Sequence, residues 1–149
     1  RMKILRKIFS LIIGIIVGGL VSFFFERLGH ENLSIYKDVP DMNEVEAFAA
    51  FISNLPISAF LILLFAHSIG TMIAGFIATL FAGETRPITA TAVGAIMLCL
   101  AIINLISITS HPVWFKVAEV IIYIPSAILG FRILLKTKEI LKQHPTSQQ

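Results

Sequence analysis

Charge is what this chain has least of. Aspartate, glutamate, lysine and arginine make up 14% of its 149 residues, against about 25% in a soluble domain. The polar surface that a water-soluble fold of this length needs is missing. Cysteine is nearly absent as well: Cys99 stands alone, which excludes an intrachain disulfide and leaves the redox compartment open. Catalytic punctuation is equally thin. There is no Gly-x-Ser-x-Gly elbow, no phosphate-cradling glycine loop and no paired-cysteine metal motif, and no motif calls for a cofactor. The formal net charge of +3 does not indicate a nucleic-acid partner, because the basic residues gather at the ends of apolar stretches instead of forming one face.

What is abundant is apolar length. Hydrophobic residues are 56% of the chain and mean hydropathy is +0.88. Four stretches, 8–29, 57–81, 88–109 and 114–135, each approach the ~20 residues that cross a bilayer core. The expected fold is an all-α bundle of four transmembrane helices in one integral membrane domain over 1–149, with the lipid bilayer as its principal partner. An outer loop over 30–56 holds a short amphipathic helix at 42–54, and a tail runs over 136–149.

The first stretch sets the pattern. Thirteen strongly apolar residues between Ile8 and Phe25 contribute roughly −4 to −8 kcal/mol to insertion. Its basic start (Lys3, Arg6, Lys7) is that of a signal peptide. The run ends in Phe23-Phe24-Phe25-Glu26-Arg27 without a small-x-small cleavage site, so a retained helix is expected. Small residues recur every fourth position at Ser10, Gly14, Gly18 and Ser22, and the same step lands on Glu26 and His30. Such a ladder lets a second helix approach closely in lipid. A four-residue step drifts about 40° per repeat, which places Glu26 only loosely on its extension.

Beyond it lies an acidic loop in which Asp41 and Glu44 have the spacing of a capping box. Val45, Phe48, Ala49, Ile52 and Leu55 follow at helical spacing, and Asn54-Leu55-Pro56 marks the junction to the second span. That span carries two adjacent small-residue ladders, one through Ala66, Gly70, Ala74, Ala78 and Ala82, the other through His67, Thr71, Gly75, Thr79 and Gly83. So broad a small face predicts tight contact with one or two helices. Gly94 is a further packing position in the third span. Trp114 and Phe115 stand where aromatic residues anchor at an interface. Pro125 is expected to kink the fourth helix, and the tail from His144-Pro145 is expected to be disordered.

Basic residues orient the bundle. Nine lie before the first span, in the middle turn and at the end of the fourth, and three (Arg27, Lys37, Lys116) lie on the opposite side. The positive-inside rule therefore puts both termini in the cytoplasm. With that topology the polar residues of the spans collect toward the outer leaflet: Glu26, His30, His67, Asn104, His111 and Glu119. His67 is about 15 Å below the start of its helix, near the midplane, and intramembrane ionisable residues mark ion and proton paths. Local pairing competes with this reading. Glu26 and His30, four apart, pair with each other or with Arg27, and Lys116 pairs with Glu119 or snorkels. His67 and Asn104 bond across helix interfaces, and His111-Pro112 forms a plain turn. Three histidines and two carboxylates suit a metal in donor type, but no His-x-x-x-His spacing supports one, so no metal ligand is assigned. Asn32-Leu33-Ser34 fits the glycosylation pattern, which carries weight only in a eukaryotic setting.

Glu26-x-x-x-His30, Asn54-Leu55-Pro56, Asn104 and His111-Pro112-x-Trp114-Phe115 together resemble a group of small, functionally unassigned four-helix bacterial inner-membrane proteins. The resemblance implies a bacterial inner-membrane setting and no particular activity. The residues themselves favour a non-enzymatic binding or transport-like protein whose polar cluster handles protons or a small cation. Four helices enclose little space, so such a path calls for a homo-oligomer. Two other readings compete: an accessory subunit docking a membrane-protein partner through its Gly/Ala ladders, and an embedded enzyme acting on lipid or quinone headgroups with Glu26 and His30 as acid and base.

Overall fold

The computed structural model describes residues 2–143. Its elements are α1 (Met2–Asn32), a 3-10 turn (Ser34–Asp38), α2 (Val45–Ser53), α3 (Ile57–Ala82), α4 (Ile88–Ser107) and α5 (Val113–Gln143). Four of these helices, α1, α3, α4 and α5, are long and apolar enough to cross a membrane, and no strand occurs among the described residues. The chain has the make-up of a multi-pass membrane protein.

The distribution of side-chain size says which solvent the fold is built for. The buried face of α3 is Ala66, Gly70, Thr71, Ala74, Gly75, Ala78 and Thr79. Ile12, Ile16, Leu20, Phe23 and Phe24 of α1 point outward. Water would drive the large side chains in and leave the small ones to chance. Lipid tails remove that drive, so helices associate through backbone proximity at small residues while large apolar side chains face the solvent.

Helix α3 is the central element. On one side the α1 ladder meets the first α3 ladder in antiparallel register: a Cβ added at Gly14 would sit 2.8 Å from the Ala74 carbonyl oxygen, and one at Gly18 would sit 2.6 Å from the Gly70 carbonyl oxygen. Ser22 Oγ donates to the Ala66 carbonyl at 3.3 Å. On the other side the second ladder meets α5, with Gly75 against the Ala127 backbone and Gly130 against the Met72 carbonyl. Gly94 of α4 closes the bundle against Tyr123, Ile124 and Ala127 of α5. Both faces of α3 are therefore committed to partners. At the opposite end from the chain's start, α2 lays Ile52 against Phe60 and Phe115, with Phe48 and Phe51 packed around them.

Element ends depart from the sequence expectation in four places. α1 extends beyond 8–29 in both directions, because helix continues through polar residues once its backbone bonds are propagating. The Asp41–Glu44 capping box does not form. Asp41 Oδ1 instead accepts from the backbone and side-chain nitrogens of Asn43, a local turn that delays α2 to Val45. α4 stops at Ser107, ahead of 109. α5 runs unbroken through Pro125 to Gln143, so 136–143 is helix and not tail; the expectation for His144-Pro145 lies outside the described residues. The turn between α3 and α4 needs its glycine: Gly83 has φ +68° and donates to the Thr79 carbonyl at 2.9 Å, the left-handed close of a helix.

The end of the bundle holding that turn is pinned by charge. Lys7 Nζ lies 2.6 Å from Glu84 Oε1, Arg6 Nε donates to the Phe81 carbonyl at 2.7 Å, and Glu84 Oε2 accepts from the Thr89 amide and hydroxyl to start α4. Burial alone would raise the Glu84 carboxyl, but the bonds from Lys7 and Thr89 outweigh it and hold the group below the usual carboxylate range. A carboxyl depressed in the folded state contributes its full stability above the unfolded value and loses it as pH falls through the native one. Lys7→Ala is expected to cost up to about 1 kcal/mol at neutral pH. That difference from the parent should shrink only as pH falls below the ordinary carboxylate range and vanish once the native Glu84 carboxyl is protonated. Thermal-shift series of the two proteins across pH check this; a difference that persists in acid refutes it.

Candidate functional site

The polar residues of three spans meet where the small ladders end. One four-residue step beyond Ser22, Glu26 leaves α1 directed at α3, where His67 heads the second ladder. His67 Nε2 and Glu26 Oε1 are hydrogen-bonded at 2.8 Å. The other ring nitrogen, Nδ1, faces Glu119 Oε1 of α5 in a short hydrogen bond. One turn along α5, Tyr123 OH donates to the same Glu119 oxygen at 2.5 Å and lies 3.1 Å from His67 Nδ1. The 52 residues between His67 and Glu119 are bridged by the α3–α5 glycine contacts, which bring the two helices close enough for short side chains to touch.

Proton counting limits what this cluster is. A neutral imidazole has one N–H and one lone pair, so it cannot donate to carboxylates on both sides. Both contacts are satisfied by an imidazolium between two carboxylates or by a neutral imidazole that donates to one carboxylate and accepts from the other in its protonated form, each with one net negative charge; one further proton makes the cluster neutral. Glu119 is buried, and its second oxygen, Oε2, has no partner among the described residues; Thr71 Oγ1 is the other such atom. A half-satisfied buried carboxylate is expensive. In its net-negative form the cluster carries a charge that its own members do not balance.

Next to the cluster is a cavity of about 660 Å³, lined by Glu26, His67, Glu119 and Tyr123 on its polar side and by Phe48, Ile52, Phe60, Leu63, Met97 and Leu100 elsewhere. A single chain forms this partly open space, where the sequence leads us to expect that four helices leave little room. α2 and the 3-10 turn lie over one end and enlarge it. The Tyr36 phenol of that turn is held above its usual range by burial and by the nearby Glu26 charge.

No protein-family model matches the chain, and neither curated proteins nor solved structures yield a match.

The six polar positions singled out in the sequence divide as follows. Glu26, His67 and Glu119 are in direct contact. His30, Asn104 and His111 line the same cavity without touching those three. The expected Glu26–His30 pairing does not occur: Glu26 bonds His67, His30 stacks on Tyr36 with ring centroids 4.0 Å apart, and Arg27 pairs with Glu31 at 2.9 Å. Lys116 does not pair with Glu119. Its Nζ donates to the Thr109 carbonyl at 2.7 Å, while Glu119 turns inward. Asn104 is exposed and bonds no neighbouring helix among the described residues. His111 is buried, with Nδ1 donating to the Ile108 carbonyl at 2.8 Å and the ring stacked on Phe115. Among the described residues no group of three or more His, Cys, Asp or Glu side chains is placed to hold a metal ion. The two carboxylates sit on opposite nitrogens of one imidazole, so they do not converge on a common point. Tyr123 is the member that sequence reading missed. Its signal was a tyrosine within a span, four residues after Glu119 and hence on the same helix face.

Proposed function

We propose that this chain is a non-enzymatic, multi-pass membrane protein that binds a monovalent cation in exchange for a proton at the Glu26–His67–Glu119 cluster. One observation carries the reading: an imidazole held on both nitrogens by carboxylates from two other helices, with one buried carboxylate oxygen unpartnered, at the wall of a cavity. In a low-dielectric surrounding, a net charge of −1 is costly, and either a proton or a bound cation removes it. The two are alternative occupants of one electrostatic vacancy. The engagement of His67 on both ring nitrogens favours binding over bond chemistry.

The test is infrared difference spectroscopy on the purified protein between neutral and acidic pH. A protonated-carboxyl C=O band is expected to grow in acid and to be smaller in the double variant Glu26→Gln, Glu119→Gln than in the parent. A band of the same size in both proteins would overturn the reading.

The proposed setting is a bacterial inner membrane with both termini in the cytoplasm and the cavity toward the outer side, supported by the basic-residue asymmetry. In a Cys99→Ser background, a thiol introduced by Met42→Cys is expected to react with an impermeant maleimide in intact cells, and one introduced by Lys138→Cys only after lysis. Labelling of both from the same side would sink the orientation.

A further inference from the structure

The chemistry of the cavity wall narrows the cation, given the protonation-linked site just proposed. We infer that the occupant is an amphipathic organic monocation, an onium group carried on an apolar body, and not an inorganic ion. Volume, donor count and charge all point there. About 660 Å³ falls within the ~300–1,000 Å³ of small-molecule sites, far more than a bare ion needs. An alkali or alkaline-earth ion must replace its hydration shell with several oxygens, yet most of the lining is aliphatic and aromatic. The oxygen-bearing side chains along the space are few: Ser22, Glu26, Tyr36, Asn104, Glu119 and Tyr123. A weakly hydrated onium ion has no such shell to replace. Phe48, Phe51 and Phe60 line the space, and aromatic rings attract such a cation. The Glu119 carboxylate, which lines the same space and has one unpartnered oxygen, supplies the opposite charge.

The proton enters the same balance. The titratable groups on the cavity are Glu26 and His30 from α1, Tyr36 from the 3-10 turn and His67 from α3. His111 comes from the α4–α5 turn, and Glu119 and Tyr123 from α5; the lining residues of α2 and α4 are uncharged. Binding should therefore weaken as pH falls, by about tenfold per unit where one proton competes with one cation.

Gly19 offers a variant that changes the cavity and leaves the cluster alone. It lines the space, and a Cβ added there meets nothing within 4 Å, so Gly19→Leu fills volume without disturbing helix packing. The probe is tetraphenylphosphonium, measured by equilibrium dialysis on the detergent-solubilised full chain, with tetraphenylborate as the anion of the same shape. Saturable phosphonium binding is expected, with release of about one proton per cation in weak buffer and no borate binding. Glu119→Gln should weaken binding about a hundredfold. Gly19→Leu should weaken it at least tenfold yet keep the acid-induced carboxyl band of the parent protein. Equal binding of the borate ion, or phosphonium binding indifferent to pH and to Glu119→Gln, would overturn the inference in favour of a plain apolar pocket. A carboxyl band that responds to pH in a protein that ignores phosphonium would overturn it while leaving the proton-exchange reading in place. Absence of both would end the two together.

Discussion

Gly75→Ala is expected to destabilise the bundle by about 3 kcal/mol, the upper end of the overpacking range, although it adds one methyl group and improves helix propensity by nearly 1 kcal/mol. The methyl carbon would overlap the carbonyl of Ala127 and sit 2.8 Å from its Cα. Those are backbone atoms, which cannot rotate aside as a side chain would, so α5 must move away from α3. Glu119 and Tyr123 ride on α5, and such a shift also opens their contacts with His67. The same mutation at Gly19, where the space is open, should be neutral or stabilising. Denaturation of both variants in mixed micelles measures the contrast, and equal effects would show that close helix approach is not what holds α3 to α5.

Removing His67 should have an effect at least as large, and for an electrical reason. Without the ring, Glu26 and Glu119 remain in the membrane interior with no cation between them, and an uncompensated buried charge costs about 3–5 kcal/mol. His67→Ala is therefore expected to lower stability by about that amount near neutral pH and to recover part of it in acid, where the carboxylates take up protons. Adding Glu26→Gln and Glu119→Gln to His67→Ala should restore stability, not reduce it further, because the amides carry no charge. A double-mutant cycle between His67→Ala and Glu119→Gln reads this coupling directly. Simple additivity would mean that the three side chains are neighbours without forming one electrostatic unit. The cycle also separates charge from packing, since glutamine keeps the volume of glutamate.

These two expectations meet at α5. Its small residues bring the helix against α3, and its one buried acid then finds the histidine. Packing and electrostatics are consecutive here. The glycine contacts create the proximity at which a titratable group can be buried with partners, and the unsatisfied oxygen of Glu119 is what remains after those partners are counted. The apolar cavity beside it would otherwise be a plain packing defect. With a carboxylate at its wall it becomes a place where charge and apolar volume are offered together.

Much of this was legible in the residues alone. Four apolar runs of bilayer length dictate four long helices because unpaired backbone groups have no other refuge in lipid. A four-residue ladder of small side chains on α1 and two on α3 announce where helices touch, since local spacing suffices to put residues on one face. Pairing across space was not legible. Glu26 has His30 one turn away and Arg27 next to it, and nothing local says that it will bypass both for a histidine 41 positions on. Lys116 and Glu119 stand three apart, yet one reaches a loop carbonyl and the other turns inward. The physical reason is that a side chain of a membrane helix selects its partner by which neighbour removes it from lipid, and only the docking of helices decides which neighbours exist. Sequence by itself therefore determined the spans, the packing faces and the scarcity of charge. The tertiary structure alone decided that two of those few charges share one imidazole, and that a space large enough for a ligand adjoins them.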